Sequence, residues 1–258
     1  MEPTVYAFVD RSRPGGPRPL ETFVHVPPDA TGVPLVLFSH GFSGHPRKFT
    51  RLFSRWVTAG YAVAAPAFPH TADTAPPPLD FEDLRNQPAD VVFVLDRVLE
   101  TLGDRVDPER VALAGFSLGA FTTLAAAFAV TGRDRRARVA IAVAGGIGPI
   151  GGECDVAGLP GGLPLLIVHA TGDAAVPYAS GREVYDRARP PKALLTLEGP
   201  HHEHVIEDEP AVPELVAVVD GATTAFLDLA LRDDPEGAAR LRDAVAPSPL
   251  ASLETDGV

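Results

Sequence analysis

The chain has 258 residues, of which 45% are hydrophobic and 22% are charged, and its formal net charge is −12 at pH 7. These values are typical of a soluble globular domain that is large enough to bury a sizeable core. The negative charge argues against binding to nucleic acid or to anionic membranes, because both require a basic protein surface. The one cysteine, Cys154, excludes an internal disulfide and a cysteine-based zinc cluster.

The amino-terminal residues bear on the cellular location. Residues 1–10 lack the basic segment and the apolar core of a secretory leader. No apolar run in the chain approaches the length of a membrane span. We therefore expect a cytoplasmic protein with no membrane span, or a secreted one if a leader has been removed.

Strand-like and helix-like segments alternate along the chain from Phe23 to Leu231. In chain order, the predicted elements are strand 21–26, strand 34–39, helix 48–59, strand 61–65, helix 88–102, strand 111–116, helix 120–128, strand 139–143, strand 163–169, helix 178–189, strand 193–197 and helix 212–231. This alternation predicts an α/β fold with a doubly wound, mostly parallel sheet and helices on both faces. We expect residues 1–232 to form a single domain. Residues 233–258 are expected to be a polar C-terminal tail that forms one short helix or is partly disordered.

Local patterns support the assignments in the first half of the chain. Residues 21–26 alternate between polar and apolar, as in an antiparallel strand, whereas residues 34–39 are continuously apolar, as in a strand buried on both faces. Residues 48–59 carry apolar side chains at helical spacing. Gly60 directly follows them and predicts a C-cap.

The sequence Gly115-Phe-Ser-Leu-Gly119 lies between a predicted strand and a predicted helix. In this strand–turn–helix context, G-x-S-x-G forms a nucleophile elbow that holds the serine in a strained conformation at the tip of the strand. Both glycines are required, because a side chain at either position would collide with the neighbouring strand and helix. The pattern predicts Ser117 as a catalytic nucleophile. An ordinary glycine-rich turn is the alternative interpretation.

A serine hydroxyl is a weak nucleophile and needs a base that is itself held by a carboxylate. In a doubly wound sheet, such partners lie on loops after the carboxyl ends of strands. Asp173 follows strand 163–169 and is the predicted acid, with a helix N-cap or an Asx turn as its alternative role. Asp155 is a weaker candidate, because no clear strand precedes it. Cys154 lies in the same loop, away from any elbow, and is not predicted to be a nucleophile.

Three histidines follow strand 193–197, in the segment His201-His-Glu-His204. His201 and His202 lie close enough to the strand end to reach the elbow serine, whereas His204 lies nearer to the next helix. A metal site is an alternative for this segment. However, adjacent histidines in an extended loop point to opposite sides, and no second cluster of ligands appears in the sequence. The residues alone leave the choice between His201 and His202 open.

The carbonyl oxygen of an ester becomes negatively charged in the transition state and needs N–H donors. We predict one donor to be the backbone N–H of Leu118, the residue after the nucleophile. The second is predicted in the loop His40-Gly-Phe-Ser-Gly44, which follows strand 34–39, and we assign it to Phe42. An ordinary glycine loop is the alternative. The residues predicted to contact substrate in an apolar pocket are Gly41, Phe42, Phe68 and Ile147.

These motifs resemble the α/β-hydrolase superfamily over residues 23–231, and most closely its bacterial esterases without a cap domain. That group includes dienelactone-hydrolase-like, chlorophyllase-like and cutinase-like polyester hydrolases. In cutinase-like members the catalytic histidine lies in a G-x-x-H turn. The matching residues here are Gly199 and His202, so the resemblance favours His202 over His201. Phe42 matches the aromatic oxyanion residue of this group.

The sequence also departs from these relatives. Secreted polyester hydrolases usually carry a leader and a disulfide, and dienelactone hydrolases have cysteine at the elbow, where this chain has Ser117. About 20 residues separate the strands 139–143 and 163–169, which is too few for a helical cap. The site is therefore expected to be open and roofed only by loops.

Together, the residues and the resemblance predict a serine carboxylic-ester hydrolase with the triad Ser117, His202 and Asp173 and with no cofactor and no metal. The expected substrate is a small-molecule or polymer ester with a short- to medium-chain or polyester-like acyl group. The expected protein is a monomer or a homodimer. A thioesterase or lactonase that uses the same groups is the first alternative. A non-catalytic scaffold of the same fold is the second.

Overall fold

The computed structural model describes residues 2–148, 153–158, 162–199, 201–209 and 212–258. The strands are β1 Thr4–Asp10, β2 Arg18–His25, β3 Val33–Ser39, β4 Ala62–Ala67, β5 Val106–Phe116, β6 Ala137–Val143, β7 Leu165–Ala170, β8 Lys192–Leu197 and β9 Ala251–Asp256. The α-helices are α1 Thr50–Thr58, α2 Gln87–Leu102, α3 Leu118–Phe128, α4 Tyr178–Arg187, α5 Pro213–Arg232 and α6 Gly237–Val245. A 3-10 helix, Phe81–Asn86, directly precedes α2.

All nine strands of the described residues form one sheet, in the order β1-β2-β4-β3-β5-β6-β7-β8-β9. The strands from β4 to β8 in this order run parallel to their neighbours, whereas β1, β2 and β9 pair antiparallel. The prediction of a mostly parallel, doubly wound sheet is confirmed. In a parallel sheet the carboxyl ends of the strands share one edge, so the loops after β3, β5, β7 and β8 meet there.

Helices cover both faces of the sheet, as predicted. On one face, α1, α5 and α6 pack against residues such as Val36, Phe38 and Ile141. On the other face, α2, α3 and α4 pack against residues such as Leu35 and Leu37. Successive residues of β3 therefore enter opposite cores, which explains why that strand is continuously apolar.

The predicted end of the first helix agrees with the structure. Gly60 has a φ of +87° and its N–H donates to the carbonyl of Val57, so it closes α1 as expected.

Between β6 and β7 the described residues form no helix, and no cap domain is inserted there. Among the described residues, no helix combines the length and the apolar character that crossing a membrane requires.

The two ends of the chain differ from expectation. Residues 233–258 were expected to form a tail with at most one short helix, but they form α6 and β9, and β9 pairs with β8 along its whole length. The strand β1 was not predicted. Both are edge strands with mostly exposed side chains. They join the sheet through backbone hydrogen bonds, which composition and hydropathy do not reveal.

Candidate active site

Ser117 lies at the turn between β5 and α3, at the carboxyl edge of the sheet. Its φ of +54° and ψ of −123° are strained for a residue with a side chain. Its backbone N–H donates to the carbonyl of Val143 at 2.9 Å, which fixes the turn against the neighbouring strand β6. The predicted nucleophile therefore has the backbone conformation of an elbow.

The two glycines of the motif permit close packing around this elbow, as predicted. A Cβ atom on Gly115 would lie 2.2 Å from the carbonyl oxygen of Gly119. A Cβ atom on Gly119 would lie 2.0 Å from the carbonyl oxygen of Ser39 in β3. Neither contact is possible without moving backbone atoms, so the approach of α3 to β3 requires glycine.

Asp173 and His202 form a hydrogen-bonded pair at the same edge of the sheet. The Nδ1 atom of His202 lies 2.5 Å from Oδ2 of Asp173, whose side chain is fully buried. The other carboxylate oxygen, Oδ1, accepts the backbone N–H groups of Ala175 and Val176 at 2.9 and 2.8 Å. Asp173 thus forms an Asx-type turn and also holds the histidine, so the turn is compatible with the predicted catalytic role.

The ring of His202 lies against the residue that precedes Ser117. Its centroid is 4.8 Å from that of Phe116, with 34° between the ring planes. His201, by contrast, is exposed and directly precedes the 3-10 helix His202–Val205. The side chain of His204 is outside the described part of the chain. The structure therefore brings Asp173 and His202 together beside the elbow and leaves His201 at the surface.

The loop that carries His202 is tied to the start of α1. Both carboxylate oxygens of Asp208 are used: Oδ2 accepts the N–H of Thr50 at 2.9 Å and Oδ1 accepts the N–H of Arg51 at 3.1 Å. The Nη2 atom of Arg51 in turn donates to the carbonyl of Ile206 at 3.0 Å. Since carboxylates at a helix N-terminus satisfy free backbone donors, Asp208 both caps α1 and anchors the histidine loop.

The predicted oxyanion loop is held by a buried histidine. The backbone N–H of Phe68 donates to Nε2 of His40 at 3.0 Å, so Nε2 is the unprotonated nitrogen and Nδ1–H donates to the carbonyl of Gly41 at 2.7 Å. Burial lowers the pKa of His40 from 6.5 to about 4, which keeps this ring neutral.

The orientation of the Gly41 carbonyl determines where the next N–H points. In a trans peptide the carbonyl and the following N–H point in opposite directions. Because the Gly41 carbonyl faces His40, the N–H of Phe42 points away from His40. A Cβ atom on Gly41 would lie 3.0 Å from Cβ of Ser117, so this peptide passes directly over the elbow. Gly41 thus lies next to Ser117, and Phe42 is the residue that follows it.

A cavity of about 290 Å³ opens beside Leu118. Its walls come from the 3-10 helix Phe81–Asn86, from α3 and from the loop after β6. The lining residues are Phe81, Glu82, Leu84, Arg85, Leu118, Phe121 and Gly148. The ring of Phe42 is 41% exposed and lies 5.6 Å from that of Phe81, so the two rings form an aromatic pair at the surface beside the cavity.

Two predicted pocket residues have other positions. Phe68 was predicted to contact substrate, but it is fully buried, packs against the ring of His40 at 5.0 Å in support of the predicted oxyanion loop, and does not line this cavity. Ile147 is half-buried and packs against the core on the α3 face, next to the lining residue Gly148. Phe81, Leu84 and Phe121 were not predicted as lining residues from the sequence. Of these, Phe121 could have been suspected, because it lies one helical turn after Ser117.

The 3-10 helix that forms one cavity wall is held by buried charges. Arg18, at the start of β2, donates to both oxygens of Asp83 at 2.9 and 2.6 Å, and to both oxygens of Asp90 as well. All three residues are buried. The wall of the cavity is therefore linked to the amino-terminal hairpin by charge-assisted hydrogen bonds.

A second histidine lies close to Asp173. The side chain of His169, at the end of β7, is fully buried, and its Nε2 lies 2.9 Å from the carbonyl of Val176 and 3.6 Å from Oδ2 of Asp173. Burial lowers the pKa of His169, so its neutral form donates from Nε2 to Val176. The turn that carries Asp173 is thus held from both sides. No role was predicted for His169 from the sequence.

The alternative residues lie away from the elbow. Asp155 and Cys154 pack at the last residues of α3, where the N–H of Asp155 donates to the carbonyl of Phe128. Because Ser117 lies at the start of this 11-residue helix, the separation is about 16 Å along its axis. Burial raises the pKa of Cys154 to about 11. The structure therefore does not bring either residue to the predicted site.

The sequence profile of the Alpha/beta hydrolase family matches residues 36–256. Among solved structures, the chain is similar to a ferulic acid esterase from Streptomyces cinnamoneus, with a TM-score of 0.76, 22% identity, and coverage of 98% of this chain and 96% of that one. The fold is common, since 1261 chains match, so this similarity alone does not identify a substrate. No curated protein sequence matches the chain significantly. The profile covers most of the chain, and the protein therefore belongs to the α/β-hydrolase family.

Proposed function

We propose that the protein is a serine carboxylic-ester hydrolase in which Ser117 is the nucleophile, His202 the base and Asp173 the acid. The observation that carries this proposal is the 2.5 Å hydrogen bond between Asp173 and His202, whose ring lies on Phe116 next to the strained Ser117. The membership of the α/β-hydrolase family supports it, as does the similarity to a protein described as an esterase.

In the first step, Ser117 Oγ attacks the ester carbonyl carbon while Nε2 of His202 takes the hydroxyl proton. Asp173 accepts the Nδ1–H of the same ring, which keeps Nε2 free to act as the base and stabilises the imidazolium that forms. The tetrahedral intermediate then collapses, and His202 returns the proton to the departing alkoxide. The alcohol leaves, and the acyl group remains on Ser117.

In the second step, water attacks the acyl-enzyme and again gives a proton to His202. The intermediate collapses, the proton returns to Ser117 Oγ, and the carboxylic acid leaves. Both steps use only protein groups and water.

In both steps the negative oxygen is stabilised by the N–H groups of Phe42 and Leu118. The Leu118 N–H is the first of α3, so it also carries the positive end of the helix dipole. The Phe42 N–H is oriented through His40, as described above. The support for both donors is their position on the two sides of Ser117, one in the following residue and one in the loop over its Cβ atom.

The first experiment is hydrolysis of p-nitrophenyl esters from acetate to palmitate by the wild type and by Ser117→Ala. We expect the substitution to lower kcat by about 10,000-fold or more while the circular dichroism spectrum stays unchanged. A panel with thioesters and lactones tests the alternative substrates. Retained activity in Ser117→Ala would overturn the assignment.

The neighbouring histidine supplies a matched control. His202→Ala should lower kcat by a similar factor, because the base and the nucleophile act as a unit. His201→Ala changes the adjacent, exposed residue and should stay within a few-fold of the wild type. The reverse pattern would show that His201 is the base.

A further inference from the structure

We infer that the cavity beside Leu118 is the acyl site and that it selects esters of aromatic acids, with Phe81 as the specificity-determining residue. This inference rests on the proposed ester hydrolysis at Ser117. Three observations carry it: the side of Ser117 on which the cavity lies, the volume of the cavity, and the aromatic rings in and beside the cavity.

The cavity and His202 lie on opposite sides of Ser117. His202 packs on Phe116, whose ring contacts Phe49 at 5.9 Å within the core on the α1 face. The cavity lies between α3 and the 3-10 helix before α2, on the other face of the sheet. Since His202 must protonate the leaving alcohol, the alcohol half faces His202 and the acyl half faces the cavity.

The volume of the cavity limits the acyl group. An apolar cavity of about 150 Å³ accommodates benzene. The cavity of about 290 Å³ therefore has room for a phenyl ring together with a short linker to the carbonyl carbon. A long alkyl chain would have to continue past the charged pair of Glu82 and Arg85, which is largely exposed at the rim. Burying an apolar chain against charged groups is unfavourable.

The walls favour an aromatic guest over an aliphatic one of the same size. The lining includes the ring of Phe81 from the 3-10 helix and the ring of Phe121 from α3, and Leu84 and Leu118 add aliphatic surface. Phe81 is 55% exposed and already makes an edge contact with Phe42. Aromatic rings prefer such edge and offset contacts, and each pair adds stabilisation beyond that of the buried area. A phenyl acyl group would complete this cluster.

The test compares methyl esters, because the methanol half is too small to fill the cavity itself. The enzyme is the full chain, and the acid released is quantified by chromatography for methyl 3-phenylpropanoate, methyl 3-cyclohexylpropanoate, methyl butanoate and methyl octanoate. We expect kcat/KM for the phenyl ester to exceed that for the cyclohexyl ester by roughly 2- to 10-fold, the range that an aromatic pair supplies. The octanoate should be a poorer substrate than the phenyl ester.

Phe81→Leu should bring the phenyl-to-cyclohexyl ratio close to one. The substitution should leave the fold intact, because the side chain is more than half exposed. The matched control is Phe93→Leu, which changes a partly buried phenylalanine of α2 that does not line the cavity and should leave the ratio unchanged.

The possible failures are distinguishable. Turnover that requires Ser117 but shows no preference for the phenyl ester, or an optimum at octanoate, would overturn the aromatic acyl site and leave the proposed hydrolysis intact. An unchanged ratio in Phe81→Leu would remove Phe81 as the determinant. The absence of Ser117-dependent turnover on every ester, including the butanoate, would instead overturn the proposed function itself.

Discussion

The burial of His40 predicts how much the free energy of unfolding falls in acid. Its pKa is lowered by burial from 6.5 to about 4, so between these pH values the unfolded chain binds a proton that the folded protein does not. Stability therefore decreases as the pH falls through this window. At pH 5 the loss relative to pH 7 from this one residue is about 2 kcal/mol, and it approaches about 3 kcal/mol below pH 4.

The perturbation that isolates this effect is His40→Asn. The asparagine amide can still donate to the Gly41 carbonyl but does not titrate, and it leaves the N–H of Phe68 without its acceptor. We expect the variant to be less stable than the wild type at pH 7 by about 1–3 kcal/mol, the cost of an unpaired buried donor. Between pH 7 and pH 5 it should lose about 2 kcal/mol less than the wild type does.

The assay is urea unfolding at the two pH values, followed by the fluorescence of Trp56, which is the one tryptophan of the chain and is buried. Burial also lowers the pKa of His45 and His169, so both proteins should lose some stability in acid. Subtracting the stability lost by the variant from that lost by the wild type cancels these shared contributions. Equal losses in the wild type and the variant would refute the conclusion that His40 is neutral in the folded state.

Three further predictions concern residues around the site. His169→Phe removes the N–H donor that holds the acid turn and should lower kcat by roughly 10- to 100-fold with little change in KM, whereas glutamine at this position, which keeps a donor, should restore part of the activity. Arg18→Met leaves the buried carboxylate of Asp83 with the neutral amide of Asn86 and that of Asp90 with Arg13, and it should lower the free energy of unfolding by about 3–5 kcal/mol in urea titrations. Arg182→Met, at a more exposed arginine, should lower the free energy of unfolding by under about 1 kcal/mol. Gly119→Ala would place Cβ 2.0 Å from the Ser39 carbonyl, so we expect little soluble, active protein on expression, and normal activity would contradict the packing argument.

The parallel core of the fold could be predicted from the sequence because its strands are buried on both faces. Continuous apolar runs such as 34–39 and 139–143 are required where successive residues enter different cores. The edge strands β1 and β9 carry no such constraint. Their membership of the sheet depends on backbone pairing with β2 and β8, which leaves almost no trace in hydropathy.

The positions of Ser117 and Asp173 could also be predicted, because each follows directly from a buried strand whose carboxyl end lies at the shared edge. The cavity could not be predicted from the sequence. Its walls join the 3-10 helix Phe81–Asn86 to α3, and this contact depends on Arg18, more than 60 residues before Asp83. The resemblance to cutinase-like esterases stays a prediction at the level of the subgroup, since the family profile covers a broader set of hydrolases.

The choice between His201 and His202 shows the limit of local sequence reasoning most clearly. The two residues follow the end of β8 by four and five positions, so proximity to a strand end cannot separate them. One contact that holds this loop is remote in sequence: Asp208 accepts the backbone N–H of Thr50, 158 residues away, at the start of α1. In the folded loop, the ring that contacts Asp173 and Phe116 is the ring of His202. The contact between His202 and Asp173 joins the loops after β8 and β7, 29 residues apart in sequence, so local patterns leave both histidines open and the G-x-x-H resemblance favours His202 as a prediction.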